Sequence, residues 1–240
     1  MAREHHPPLG WSVRSTVVPK PGGGVRRLTL LGPEDATIYA QAVRRATPAI
    51  ERRLGPEVFA NRAPGTGSLE PWRAARARWR RSAARLLQAG PSATMDVLQC
   101  YDSITPEAVG VALVRLGVPD HAGRQIVHVL HAFREAGVPG IPVGPEPSAI
   151  IANAVLAAVD ETLRRRGLGF VRWVDDVVLA GRDAHAVELG VRAIEATLAE
   201  LGLESNPSKH HWFVDPEMAG AQILGPGAQA PSSIGILTGR

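Results

Sequence analysis

The sequence predicts a mixed α+β chain, and three observations carry that expectation. Short runs of β-formers alternate with longer segments of helical period, so neither class dominates. From Ser92 the order is strand, helix, strand, strand, helix, strand once two further helices are treated as an insertion, which makes a ferredoxin-like βαββαβ sheet with its helices on one face. Two adjacent acids, Asp175 and Asp176, lie between the apolar runs 170–174 and 177–180, marking a hairpin with acid at its turn.

Taken in order, residues 15–18 and 25–31 read as strands joined by Pro19-Lys20-Pro21-Gly22-Gly23-Gly24, a glycine-rich hairpin. Residues 34–54 and 69–88 read as helices around a loop at 56–67. The second helix carries Arg73, Arg76, Arg78, Arg80, Arg81 and Arg85 with Trp72 and Trp79 seven apart, so it is expected to bury the tryptophans and expose a cationic face. A strand ends at Asp96, two helices follow at about 106–116 and 121–136, and a Pro/Gly-rich connection leads to a helix at 147–166. The Asp-Asp hairpin, a helix at 184–201 and a strand near 210–214 complete the pattern.

Composition narrows the function classes. A chain of 240 residues with 45% hydrophobic content buries one sizeable core or two small ones. No apolar run reaches membrane-spanning length and the start lacks the apolar centre of a secretion signal, so a cytoplasmic location is expected. The single Cys100 forms no internal disulfide, and the eight His show no zinc spacing; His128 and His131 read as a polar helix face. Residues 1–90 hold 16 Lys/Arg against 6 Asp/Glu, whereas residues 91–240 hold 11 against 17. A basic front joined to an acidic back suits a polymer of phosphates gripped by one part and worked on by the other, although a solvated Arg-rich surface has the same composition.

Asp-Asp is ordinary turn chemistry, but a turn flanked by apolar strands also suits a site where divalent metal neutralises both carboxylates. Asp96 supplies a third acid. In the βαββαβ order the first and third strands are neighbours, so Asp96 and Asp175 are expected to converge. Three such carboxylates suit two Mg²⁺, with Mn²⁺ as a substitute, about 4 Å apart as in in-line phosphoryl displacement.

With these residues in view the chain resembles a reverse transcriptase, an RNA-directed DNA polymerase, from about residue 17 to residue 225. Met95-Asp96-Val97-Leu98-Gln99-Cys100-Tyr101 resembles the family's first palm motif, which implies Asp96 as metal ligand and Tyr101 as the ring that excludes a 2′-hydroxyl. The segment from Gly140 to Asn153, with Gly144 allowing close backbone approach, resembles the motif beneath the nascent base pair, which implies Gly144 and Ser148 as nucleotide contacts. Its Val143 replaces the usual Gln, a form closer to bacterial reverse transcriptases of abortive-infection and other defence systems. Trp173-Val174-Asp175-Asp176 is similar to Tyr-x-Asp-Asp, with Trp for Tyr, and the stretch from Leu201 to Lys209 resembles the motif whose Lys protonates the departing pyrophosphate. Lys20, Arg26 and Arg27 match the fingers hairpin that holds the triphosphate, and Glu57-Val58-Phe59-Ala60-Asn61-Arg62 the next fingers motif, implying a nucleotide or template contact for Arg62.

The resemblance implies a right-hand polymerase with fingers at 1–91, a palm at 92–225 carrying a helical insertion at about 104–140, and a flexible tail at 226–240. Residues 221–225 read as the remnant of a primer-grip turn, and a helical thumb is expected to be absent or vestigial, its grip supplied by a partner protein, an oligomer or a structured RNA. Expected partners are an RNA template, a DNA or RNA primer and dNTPs, with Arg73, Arg76, Arg80 and Arg81 on nucleic acid. Three functions stand open: RNA-directed DNA synthesis in phage defence or a retroelement, untemplated or protein-primed DNA synthesis, and an inactive nucleic-acid-binding relative.

Overall fold

A computed structural model describes residues 11–19, 24–65 and 68–225. Lys20 and the predicted tail at 226–240 lie outside the described residues. Strands β1 (Val13–Pro19) and β2 (Val25–Leu31) form the predicted antiparallel hairpin. Helix α1 (Pro33–Glu51) follows, with Pro at its start and Glu34 and Asp35 in its first turn, where acids complement the helix dipole. The arginine-rich helix α2 spans Trp72–Leu87. From there the chain runs β3 (Ser92–Met95), a short α3 (Cys100–Ser103), α4 (Pro106–Arg115), α5 (Asp120–Glu135), α6 (Glu146–Arg165), β4 (Gly169–Trp173), β5 (Asp176–Ala180), α7 (Ala184–Glu200), β6 (His211–Phe213) and α8 (Pro216–Leu224).

The palm sheet has the order β4-β5-β3-β6, every neighbour antiparallel, which is the ferredoxin-like arrangement. Alternation along its strands fixes what each face meets. Phe170, Val177 and Leu179 enter the large core shared with α6 and α7, while Val171 and Val178 point the other way. The two crossover helices therefore share one face, as expected. The opposite face is also covered: Trp79, Ala83 and Leu87 of α2 and Ala219 and Leu224 of α8 pack there with Phe59 and Phe213. That two-sided burial explains why β4 and β5 read as continuous apolar runs rather than as alternation.

Helix α6 is the structural axis. Fourteen of its 20 residues are buried, because it packs against α1, α4, α7 and β4 at once. The predicted insertion, α4 and α5, stacks against α1 and α6. Two expectations need correction. Trp72 is 65% exposed, not buried; it shares a helical stripe with Ala75, Trp79, Ala83 and Leu87, but the buried part of that stripe begins only at Ala75 and Trp72 is the first residue of α2. Of residues 221–225, read as a turn, 221–224 belong to α8 and Gly225 ends it; Asp215 caps the helix start by accepting from the Glu217 backbone N–H at 2.8 Å.

Candidate active site

Register builds the site. Met95 pairs with Val177 across β3 and β5, so Asp96, the residue directly after β3, comes alongside Asp176 at the start of β5. One carboxylate oxygen from each of Asp96, Asp175 and Asp176 lies within 4.8 Å of the other two. Asp96 is buried, Asp175 half-buried and Asp176 at the rim. Two neighbours hold Asp96: Lys209 donates from Nζ to Oδ2 at 2.6 Å, and Asn206 donates from Nδ2 to Oδ1 at 3.1 Å. The Asn206 backbone N–H also bonds the Asp96 carbonyl at 2.8 Å, so the segment after α7 is laid along the end of β3.

Crowded carboxylates hold protons more tightly. Burial first, then the charges of Asp175 and Asp96, push Asp176 up from an ordinary 3.8 to about 7. Burial and Asp96 likewise raise Asp175, with Lys209 and Arg26 opposing. The hydrogen bond to Asp96 raises Lys209, which keeps its ammonium charged. A cluster of oxygen donors whose mutual repulsion is relieved by positive charge fits a hard divalent cation such as Mg²⁺, and these three residues would hold it.

The turn that presents Asp175 and Asp176 is strained. Val174 has φ +57°, a left-handed conformation that a β-branched residue rarely adopts. Its carbonyl accepts from Arg172 Nη1 at 2.8 Å, and Arg172 is itself fully buried against Asp160 and Asn153. None of Arg172, Asp160, Asn153 or Asn206 was singled out from sequence. The available signal was an arginine inside the apolar run 170–174, because a buried charge demands a partner.

The other predicted positions are distributed as follows. Arg26 on β2 is exposed yet close enough to lower the carboxyl of Asp175 and the phenol of Tyr101 electrostatically, whereas Arg27, next on the strand, points to the other side. Thr29 of β2 donates its N–H to the Val143 carbonyl at 2.8 Å, docking the hairpin onto the Gly/Pro segment. Tyr101 sits in α3 near Asp175, its phenol raised by burial. Gly140 packs against α3, where a Cβ would lie 2.3 Å from the Tyr101 carbonyl, and Gly144 has a φ of +120° that favours glycine.

Ser148 is not available to a nucleotide: it is fully buried and its Oγ pairs with the Tyr39 hydroxyl at 3.0 Å. Arg62 differs from expectation too. Its Nε is bound by Glu51 at 2.8 Å and Nη1 by the Gly55 and Val58 carbonyls, so it holds its own loop together. Arg73, Arg80 and Arg81 are exposed on α2, but Arg76 packs on two indoles, 4.1 Å from the Trp79 ring centre and 4.9 Å from that of Trp173.

A family model described as reverse transcriptase (RNA-dependent DNA polymerase) matches residues 18–230. The chain belongs to the reverse transcriptase family. Two solved telomerases share the fold of this reverse transcriptase chain. Apo telomerase from Candida tropicalis, truncated from the C-terminal domain, aligns with a TM-score of 0.58 at 14% identity over 84% of this chain and 49% of its own. Telomerase from Candida albicans, in complex with a TWJ fragment of telomeric RNA, aligns with a TM-score of 0.53 at 14% identity over 83% and 41%. The reverse transcriptase chain thus spans less than half the length of either, and at such identity the likeness concerns the fold alone. A search of curated proteins found no match.

Proposed function

We propose that the chain is an RNA-directed DNA polymerase that adds dNTPs to a 3′-hydroxyl by two-metal-ion nucleotidyl transfer. The observation carrying this reading is the approach of Asp96, Asp175 and Asp176 to within 4.8 Å of one another on the sheet of a reverse transcriptase family member. Cations bound by those carboxylates would favour deprotonation of the attacking hydroxyl and offset charge on the leaving pyrophosphate. The chain's own residues do the rest. Asp96, anchored by Asn206, fixes the donor geometry. Lys209 keeps a proton on Nζ beside the carboxylates, the position of a general acid toward pyrophosphate.

Lys20 and Arg26 hold the triphosphate from the fingers hairpin, and Tyr101 excludes a 2′-hydroxyl beneath the sugar. Arg73, Arg80 and Arg81 contact template and primer phosphates along the exposed face of α2. In this reading residues 1–91 are fingers and 92–225 the palm. The Pro142-Val143-Gly144-Pro145 form supports a bacterial setting in defence or a retroelement. No helix among the described residues is long and apolar enough to cross a membrane, which is compatible with work in the cytoplasm.

The test is incorporation of labelled dTTP on poly(rA)/oligo(dT), compared with a DNA template and with none. Wild type is expected to require template, while Asp96→Ala and Asp175→Ala abolish incorporation yet keep wild-type circular dichroism and RNA binding. Full incorporation by both variants would overturn the metal assignment. Incorporation independent of template would move the reading to untemplated synthesis.

A further inference from the structure

Arg172 stands on β4 with none of its surface exposed, and each of its guanidinium nitrogens has an acceptor. Nε and Nη2 form a fork onto Asp160 of α6, each at 2.7 Å. The remaining nitrogen, Nη1, divides between the Asn153 Oδ1 at 2.9 Å and the Val174 carbonyl at 2.8 Å. Asn153 in turn donates from Nδ2 to the carbonyls of Ala60 at 2.9 Å and Asn61 at 3.2 Å, and Asn61 is itself left-handed with φ +56°. The Arg172 backbone joins the same loop: its N–H bonds the Glu57 carbonyl at 2.8 Å and its carbonyl accepts from Phe59 at 3.1 Å. One continuous hydrogen-bonded path therefore runs from residues 57–61, through α6 and Arg172, to the residue directly before Asp175.

We propose that Arg172, oriented by Asp160 and Asn153, is a positioning residue that clamps Val174 in its left-handed conformation and so aims Asp175 and Asp176 at Asp96. Two facts carry this beyond a buried ion pair. Charge neutrality needs only Asp160, yet Nη1 is spent on the turn carbonyl and on the amide that reaches the loop. Val174 is also a costly choice where Gly would adopt φ +57° freely, and a strained residue persists only where its surroundings over-determine it. Because Arg172 is sealed from solvent, it touches neither substrate nor nucleic acid; its effect passes through the turn.

This inference rests on the polymerase reading, so the experiment separates the two. Wild type, Arg172→Lys, Val174→Gly and the double variant are compared by thermal unfolding, by Mn²⁺ binding followed with electron paramagnetic resonance, and by single-nucleotide kinetics. Lys keeps the charge facing Asp160 but lacks the planar fork. Arg172→Lys is expected to remain folded, bind Mn²⁺ more weakly, and lose on the order of 10²-fold in kcat with dNTP KM unchanged, as for a small misplacement of reacting groups. Val174→Gly should raise kcat and Mn²⁺ affinity in the Arg172→Lys background and not in wild type, a coupling that a merely stabilising ion pair would not give.

A folded Arg172→Lys with wild-type kcat and Mn²⁺ affinity, or a loss that follows the unfolded fraction and is untouched by Val174→Gly, would overturn the proposal. If Arg172→Lys does not fold, Asn153→Ala leaves the ion pair intact and is judged alike: lower kcat at unchanged KM supports the clamp, wild-type kcat refutes it. Absence of nucleotide incorporation by wild type on every template would sink the polymerase reading alone, since Mn²⁺ binding still reports on the turn.

Discussion

At the scale of single residues, the acids at the site set a pH dependence whose sign follows from their surroundings. Asp176 is raised to about 7 by burial and by Asp175 and Asp96, so the folded protein binds that proton more tightly than the unfolded chain. Its contribution to stability is complete below the ordinary carboxyl value of 3.8 and is lost as pH rises through about 7. In chelator, Asp176→Asn should therefore gain progressively in melting temperature relative to wild type between roughly pH 4 and pH 7. A constant gap across that window would refute the raised carboxyl. The three acids were legible in sequence because a carboxylate bordered by apolar strands is expensive without a cation. Ser148 and Arg62 were misread because nothing local reveals that Tyr39, 109 positions away, or Glu51 already satisfies them.

At the scale of elements, the helix and strand succession followed from local signals. The predicted 25–31 strand is β2 to the residue, and most helix ends shift by one to three positions. Thr105 and Asp183 mark two helix starts by accepting from Ala108 and Ala186, the capping chemistry that sequence makes visible. The join between α3 and the Gly/Pro segment was less visible. Gly140 passes so close to α3 that a methyl group would meet the carbonyl oxygens of Tyr101 and Asp102 at 2.3 and 2.6 Å. Gly140→Ala should consequently cost about 1–3 kcal/mol, read from urea unfolding, as overpacking against backbone does. An unchanged urea midpoint would show that the connection has room to yield.

At the scale of the whole molecule, the described residues before 92 and the sheet share a core. Phe59, Trp79, Ala83 and Leu87 cover Val171 and Val178, and α1 packs on α5 and α6. Burying each large apolar side chain contributes about 1.5–3 kcal/mol, while a domain's net stability is only about 5–15 kcal/mol. Residues 92–225 expressed alone are expected to bind a hydrophobic dye and lack a cooperative thermal transition; a sharp transition would mean that the sheet tolerates a bare face. The amino-acid sequence by itself determined the order of elements, the βαββαβ pattern and the acid-bearing turn, because period, breakers and like charges act over a few neighbouring residues. Tertiary structure alone decided that α2 and α8 close the second face, that Arg76 packs on two indoles, and that Arg172 holds the turn from within. Those outcomes depend on which distant groups satisfy a buried charge or cover an apolar face, and partners 12 and 19 positions from Arg172 become neighbours only once α6 has packed beneath the sheet.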